Sequence, residues 1–510
     1  MNISKYREKN LVHYRGLFLS FCSSYVLGDI VGVSSGKDWD FWIFLSIFLL
    51  LISMKKWRIL AVTGIVAYML GWGYGYSTYE QTLEKIIFLE KEIHLFDDKK
   101  SIIGTVDSKM FSAERSNTYR LIIDNIDNRS TQENPKGMRD LSIFIEIPSN
   151  LDIQEGERIS FTGKIKENVE FPLVGYARYA FYQGGYGHIF LPVFSHIDEK
   201  KSGTIFTKMR EYWTTQFRKN FPQDISGILI GMTIGADEYL EKGVKDSFTK
   251  SGISHILIVS GSNIAFLIMF VLFFLKYIHI QKWGRIILIG GIVLFYGSIV
   301  GWDVSVVRAS IMGVLSYFIA EYGGKASSIA TLAFAGLLLT IYSPLSPVYD
   351  AGFGLSFGAT IGILIFHNPL KSLWEKTRFP QSIFPFVSVS IGASLGSLPI
   401  LIYHFGTIPV GSIVINILIA AVLGWILFTS ILFVPIVYIS PLLAYYFGYI
   451  IYIPAKYIIF LSDIFQYSHT ITIGENWRVI ITLLLIGGYT VFFLEKDVLF
   501  REASRKLDSE

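Results

Sequence analysis

Between Ile256 and Leu494 the sequence is a near-continuous succession of apolar runs, more than a single soluble core could bury. A helix that crosses a bilayer needs about 20 mostly apolar residues. About nine runs of that kind follow one another, near Ile256–Lys276, Ile286–Gly301, Val304–Ala320, Ile329–Tyr342, Ala351–Phe366, Phe384–Tyr403, Val410–Val434, Leu442–Leu461 and Val479–Leu494. Three more precede them, at Leu11–Val31, Phe41–Met54 and Ile59–Gly75. Some runs are short or rich in Gly, Ser and Pro, so broken or re-entrant helices are expected among them. Charged residues make up 17% of the chain, against about 25% in soluble domains. They are dense between about residues 80 and 220 and sparse after 255. The pattern predicts a polytopic α-helical membrane protein with one water-soluble insert.

Loop charge orients the spans, because Lys and Arg favour cytoplasmic loops. Lys5, Arg7 and Lys9 place the N-terminus inside, and Lys55, Lys56 and Arg58 mark the next inside loop. The insert then lies outside. Lys276, Lys282 and Arg285, then Lys325, then Lys371, Lys376 and Arg378 mark further inside loops. The tail, with Lys496, Arg501, Arg505 and Lys506, also falls inside. The expected location is the cell (inner or plasma) membrane.

The expected divisions are N-terminal transmembrane helices over 1–76, an extracytoplasmic OB-type domain with linkers over 77–200, and amphipathic or connecting helices over 201–250. A membrane channel domain over 251–495 and a cytoplasmic tail over 496–510 follow. The insert reads as short strands, among them "TYRLIIDNID", "DLSIFIEIPS" and "ERISFTGKIKE", separated by polar turns. Five such strands with glycines at bends fit a small β-barrel of the OB type. Such a domain either receives a nucleic-acid strand or serves as a folded spacer; few aromatics are placed to stack bases. Thr204–Phe221 repeats apolar residues at Ile205, Met209, Trp213 and Phe217, the pattern of an interfacial or packed connecting helix.

The single cysteine, Cys22, excludes an intrachain disulfide, and none of the 9 histidines forms an HxH or HxxxH pair. No metal site and no cofactor are expected. The net charge of +4 is too small to argue for nucleic-acid binding by itself.

Polar residues inside spans are costly and mark candidate sites. They fall in "SGISHILIVSGSNIAF", "VSVVRASIMG", "DAGFGLSFGA" and "GSIVINILIAAV". Ser251 or Ser260 beside His255 could be a nucleophile and base, but no acid lies nearby in sequence to orient the imidazole. His255 and Asn263 could instead join helices by hydrogen bonds, and Arg308 could reach the outer interface or meet an anion in a wet path. The residues together describe a polar path through a helical bundle, without an enzyme's machinery and without naming a cargo. The candidate path residues are His255, Ser260, Gly261, Asn263, Arg308, Ser356 and Asn416. Gly252, Gly352, Gly354 and Pro399 are candidate packing or hinge positions.

The order of these features resembles the ComEC family, the inner-membrane DNA channels of natural competence. The residues that carry the resemblance are "GYARYAFYQGGYGHIF" and "ILIGMTIGADEYLEKGVKDSFTKSGISHILIVSGSNIA". Further on, "VRASIM", "GFGLSFGATIGIL" and "LGSLPILIYHFGTIPVGSIVINIL" follow in the same order. The resemblance implies a channel that carries single-stranded DNA inward, with a separate DNA receptor as partner and an oligomer as an open option. No G-x-x-x-x-G-K-[ST] loop is present, so a cytoplasmic motor or helicase would supply the driving force. Many members carry histidine where this chain has Asn263. Long members add a metallo-β-lactamase-like domain, for which this chain has no His/Asp cluster. The rival reading is an exporter or flippase of an anionic or lipid-linked polymer, using the same cavity and a sugar-binding barrel.

Overall fold

The computed structural model describes residues 24–27, 29–30 and 58–94, the strand residues and a few turn residues between 100 and 197, and residues 205–489 apart from 237–238, 258, 260, 303, 323–326 and 475–476. Most of the first two expected spans, most of "GYARYAFYQGG" and the tail lie outside the described residues.

The chain runs through α1 (Arg58–His94) into a strand-rich region. Then come α2 (Ile205–Asn220), α3 (Gln223–Ile234), α4 (Lys242–Ser251), α5 (Gly261–Leu275), α6 (Lys282–Val300), α7 (Val304–Glu321) and α8 (Ser328–Tyr342). A one-turn helix at Ser346–Tyr349 leads to α9 (Ala351–Trp374), α10 (Phe384–Phe405), α11 (Ser412–Ile439) and α12 (Pro441–Phe465). The last described helix is α13 (Trp477–Tyr489). Each of the nine apolar runs after residue 255 thus carries a helix. Five stretches, Lys282–Val300, Ala351–Trp374, Phe384–Phe405, Val422–Ile439 and Pro441–Phe465, are long and apolar enough to cross a membrane. The protein is a multi-pass membrane protein.

Two boundaries differ instructively from the sequence expectation. The run beginning at Ile256 becomes helical only at Gly261. Gly252 takes a left-handed conformation (φ 78°) that ends α4, and Ser254–Ile256 forms a single 3-10 turn. His255 therefore does not share a helix face with Ser251. In contrast, Pro435 does not end α11, which continues to Ile439.

The chain divides into two compact units, Met1–Met209 with Gly323–Asp350, and Arg210–Tyr322 with Ala351–Glu510. The first holds a curled sheet of eight strands: β1 (Lys100–Ser112), β2 (Ser116–Ile126), β3 (Arg129–Ser130), β4 (Ser142–Pro148), β5 (Arg158–Gly163), β6 (Ile165–Glu167), β7 (Gly185–Phe190) and β8 (Val193–Ile197). Their order is β6-β7-β4-β2-β1-β5-β8, with β3 paired to β2. All pairs are antiparallel except β4 with β7. Strands β5 and β6 are separated by one residue, yet β5 pairs with β1 and β6 with β7. One bent stretch of chain therefore touches both sides of the four-strand run β7-β4-β2-β1, curling the sheet on itself. Ile102, Val106, Tyr119, Leu121, Ile145 and Phe161 fill its core. Alternate residues of a strand face one side, which is why Tyr119, Leu121 and Ile123 share that core.

The second unit is helical. Its largest core gathers α2, α3, α11 and α12, where Phe217, Phe221 and Phe433 pack as an aromatic cluster. Helix α3 is buried from Ile225 through Ile234 and forms a central apolar helix.

Candidate functional site

Five helices of the second unit close a ring. Helix α5 packs on α7, α7 on α9, α9 on α10, α10 on α11, and α11 returns to α5. Among the described residues, no non-adjacent pair in this ring shares more than marginal contact. Small residues set the spacing. A Cβ at Gly261 would stand 2.8 Å from Arg308 Nη2, and one at Gly358 would stand 2.8 Å from the Gly396 carbonyl oxygen. Phe266 fills the space over Gly424, and Phe270 meets Phe428 edge-on with centroids 4.2 Å apart. Residues Gly354–Thr360 of α9 and Ile311–Ile319 of α7 are half-buried at every position. A regular ring of five parallel helices with axes about 9 Å apart and about 10–12 Å across would leave a central space about 2 Å in radius.

Arg308 is a buried charge in this ring, away from Glu321 and Lys371 near the ends of α7 and α9. It is 9% exposed. On α7, residues 306 and 308 lie about 200° apart, and Val306 packs into the α5–α6–α7 core. Arg308 therefore points away from α6. Its Nη1 donates to the Ser356 carbonyl and to Thr360 Oγ1 (2.9 Å), both on α9. Phe357 lies 5.7 Å from the guanidinium carbon. Its Nη2 edge lies against Gly261, and its buried Nε has no hydrogen-bond partner. No ion pair to Arg308 occurs among the described residues. A buried guanidinium that keeps a donor unused, next to the first residue of a helix, is chemically suited to an anion.

Asn263 has a different situation. Its Nδ2 donates to the Met232 carbonyl (2.8 Å), and Tyr296 Oη donates to the Thr233 carbonyl (3.0 Å). The two side chains also bond each other. Helix α3 ends inside the protein at Gly235, a left-handed residue. Its last carbonyls would be orphaned without these donors. Asn263 thus caps a buried helix end. Sequence reasoning missed Tyr296, whose partner at Thr233 is a backbone atom without a sequence signature.

His255 is exposed in the 3-10 turn that follows α4. Desolvation by the neighbouring chain holds its imidazole below the ordinary pKa, against the opposing pull of a hydrogen bond to the Gly252 backbone. A Cβ at Gly252 would lie 2.6 Å from Pro409 Cγ and 2.7 Å from Ser412 Cβ. The Ser-Gly-Ile-Ser-His turn is therefore seated on β9 (Thr407–Pro409) and the start of α11; β9 pairs with β10 (Thr470–Thr472). Two segments 150 residues apart in sequence meet there.

The other candidates are scattered along the ring. Ser260 lies outside the described residues. Ser356 offers its carbonyl to Arg308, and Asn416 is half-buried on α11. Gly354 packs on Ile400 of α10, and Gly352 is exposed. Pro399 is buried within α10. The residues Gly354–Gly358 also spell G-x-S-x-G, but they sit in mid-helix, without the strand-to-helix turn that exposes a nucleophile. No group of three or more His, Cys, Asp or Glu side chains that could hold a metal occurs among the described residues.

A model of the family described as "Competence protein" matches residues 232–497, just over half of the chain. This chain belongs to the competence protein family. The ComEC resemblance read from the sequence is borne out, and the matched span holds the whole ring. The chain is also similar to "ComE operon protein 3" of Bacillus subtilis (strain 168), 27% identical over 197 residues. That alignment covers 39% of this chain and 24% of the relative, so the chain spans about a quarter of that protein's length. No solved structure matches.

Proposed function

We propose that the protein serves competence by passing single-stranded DNA through the five-helix ring into the cytoplasm. The observation that carries the reading is Arg308, buried in the ring with part of its guanidinium unused. A phosphodiester backbone is the ligand class that competence offers to such a group. A central space of about 2 Å radius, as a regular five-helix ring would leave, would be too narrow for a nucleotide. Passage requires α7 to part from α9, where Arg308 holds them together through Ser356 and Thr360. An arriving phosphate would take over those donors, so the strand itself would loosen the ring. His255 would stand at the outer mouth, and Asn416 would offer a hydrogen-bonding side chain on α11.

The curled sheet is read as an OB-type barrel outside the membrane that receives or orients the strand. Its parallel β4–β7 pair and the bent β5–β6 stretch support that reading. Both termini would be cytoplasmic. A DNA receptor outside and a motor or helicase inside are the expected partners.

The test is entry of labelled DNA into the cytoplasm of cells with and without the gene, alongside Arg308→Ala and His255→Ala. The reading expects entry to stop in the deletion. Normal entry there removes it, and accumulation of a surface polymer precursor would favour export instead.

A further inference from the structure

We propose that Asp29 is a proton-binding site in the first unit, holding a neutral carboxylic acid while the helices around it are packed and able to exchange the proton only when they part. Asp29 is 0% exposed, and neither carboxylate oxygen has a hydrogen-bond partner. Burying an unpaired carboxylate ion costs many kcal/mol, so such a group keeps its proton or is paired. No charged partner is found among the described residues. Tyr25, one turn earlier, interacts electrostatically with Asp29 and with Tyr74 of α1. Tyr74 Oη donates elsewhere, to the Ile341 carbonyl at 3.0 Å. From α8, Leu337 and Ala333 pack against Tyr25 and Ala67, and neither carries charge. No Lys, Arg or His forms an ion pair with Asp29 among the described residues.

The tight packing is built in. Gly71 of α1 lies so close to Tyr25 and Asp29 that a Cβ there would overlap the Tyr25 carbonyl and stand 2.9 Å from the Asp29 nitrogen. Water cannot reach the carboxyl without separating that crossing. Proton occupancy and helix packing are thereby linked, as in intramembrane carboxyls that relay protons. The inference concerns a group outside the matched span 232–497 and does not depend on the cargo.

The experiment uses the full chain in lipid nanodiscs. Infrared difference spectra of wild type minus Asp29→Asn are recorded across pH. The expected result is a protonated-carboxyl stretch from Asp29 at pH 7, where an ordinary aspartate, titrating near about 3.9, is ionised. Gly71→Leu, which forces the crossing apart, should abolish that signal. A carboxylate band from Asp29 at pH 7 in the packed wild type overturns the proposal. Because Asn mimics the neutral acid, Asp29→Asn should melt with the wild type at pH 7; a large loss of stability there also contradicts it.

Discussion

Tyr489 donates its hydroxyl to the carbonyl of Leu395, 2.8 Å away, and that carbonyl lacks its usual helical donor because Pro399 stands four residues on. Proline has no N–H, so its helix would otherwise carry an unpaired buried acceptor. Thr482 of the same helix, α13, donates to the Pro399 carbonyl at 3.2 Å. Helix α13 therefore repairs the proline break in α10 and supports one wall of the ring.

Tyr489→Phe should lower stability by about 1 kcal/mol, the typical net value of such a bond, as measured by thermal melting of the purified protein. Pro399→Ala restores the N–H, so the double variant should lose less than Tyr489→Phe alone. Tyr445→Phe, at an exposed pair with Tyr449, should change little. Equal losses in all three would contradict the repair.

Asn263→Leu should cost about 1–3 kcal/mol, because Met232 is left without its donor. Asn263→His should be tolerated better, since imidazole can donate in its place. The same melting experiment separates the outcomes. If Asn263→Leu retains full stability while DNA entry fails, Asn263 acts in the path and not as a cap.

Gly358→Leu and Gly396→Leu should each destabilise the protein by about 1–3 kcal/mol through overpacking. The glycine-lined crossing of α9 and α10 leaves no room for a side chain, with Gly392 likewise 2.9 Å (by its absent Cβ) from the Ile363 Cα. Gly290→Leu, on α6 with open space around it, is the control. Similar losses at Gly290 and Gly358 would sink the close-packing account.

Much of the fold was legible because apolar periodicity and length are local properties. All nine runs after residue 255 became helices. The helix start at Gly261 was not legible, since it depends on the left-handed Gly252 seated on Pro409. The strands were visible one by one. Their order was not, because it rests on pairings such as Ser142 with Gly185, far apart in sequence. At the site, Arg308 stood out as a charge in an apolar run. Its partners did not, because Ser356 contributes a backbone carbonyl. Asn263 looked like a path residue for the same reason, its partner being the Met232 carbonyl. Asp29 went unremarked at the end of the first apolar run, where only burial reveals that it lacks a partner.

The most direct test places a photo-crosslinking residue at Ser356, beside the Arg308 clamp, and at Leu442, exposed on α12. Cells taking up labelled DNA are irradiated during transport. The ring account predicts a protein–DNA adduct at position 356 and none at 442. DNA that reaches the cytoplasm with no adduct at 356, or with equal adducts at both positions, would contradict it.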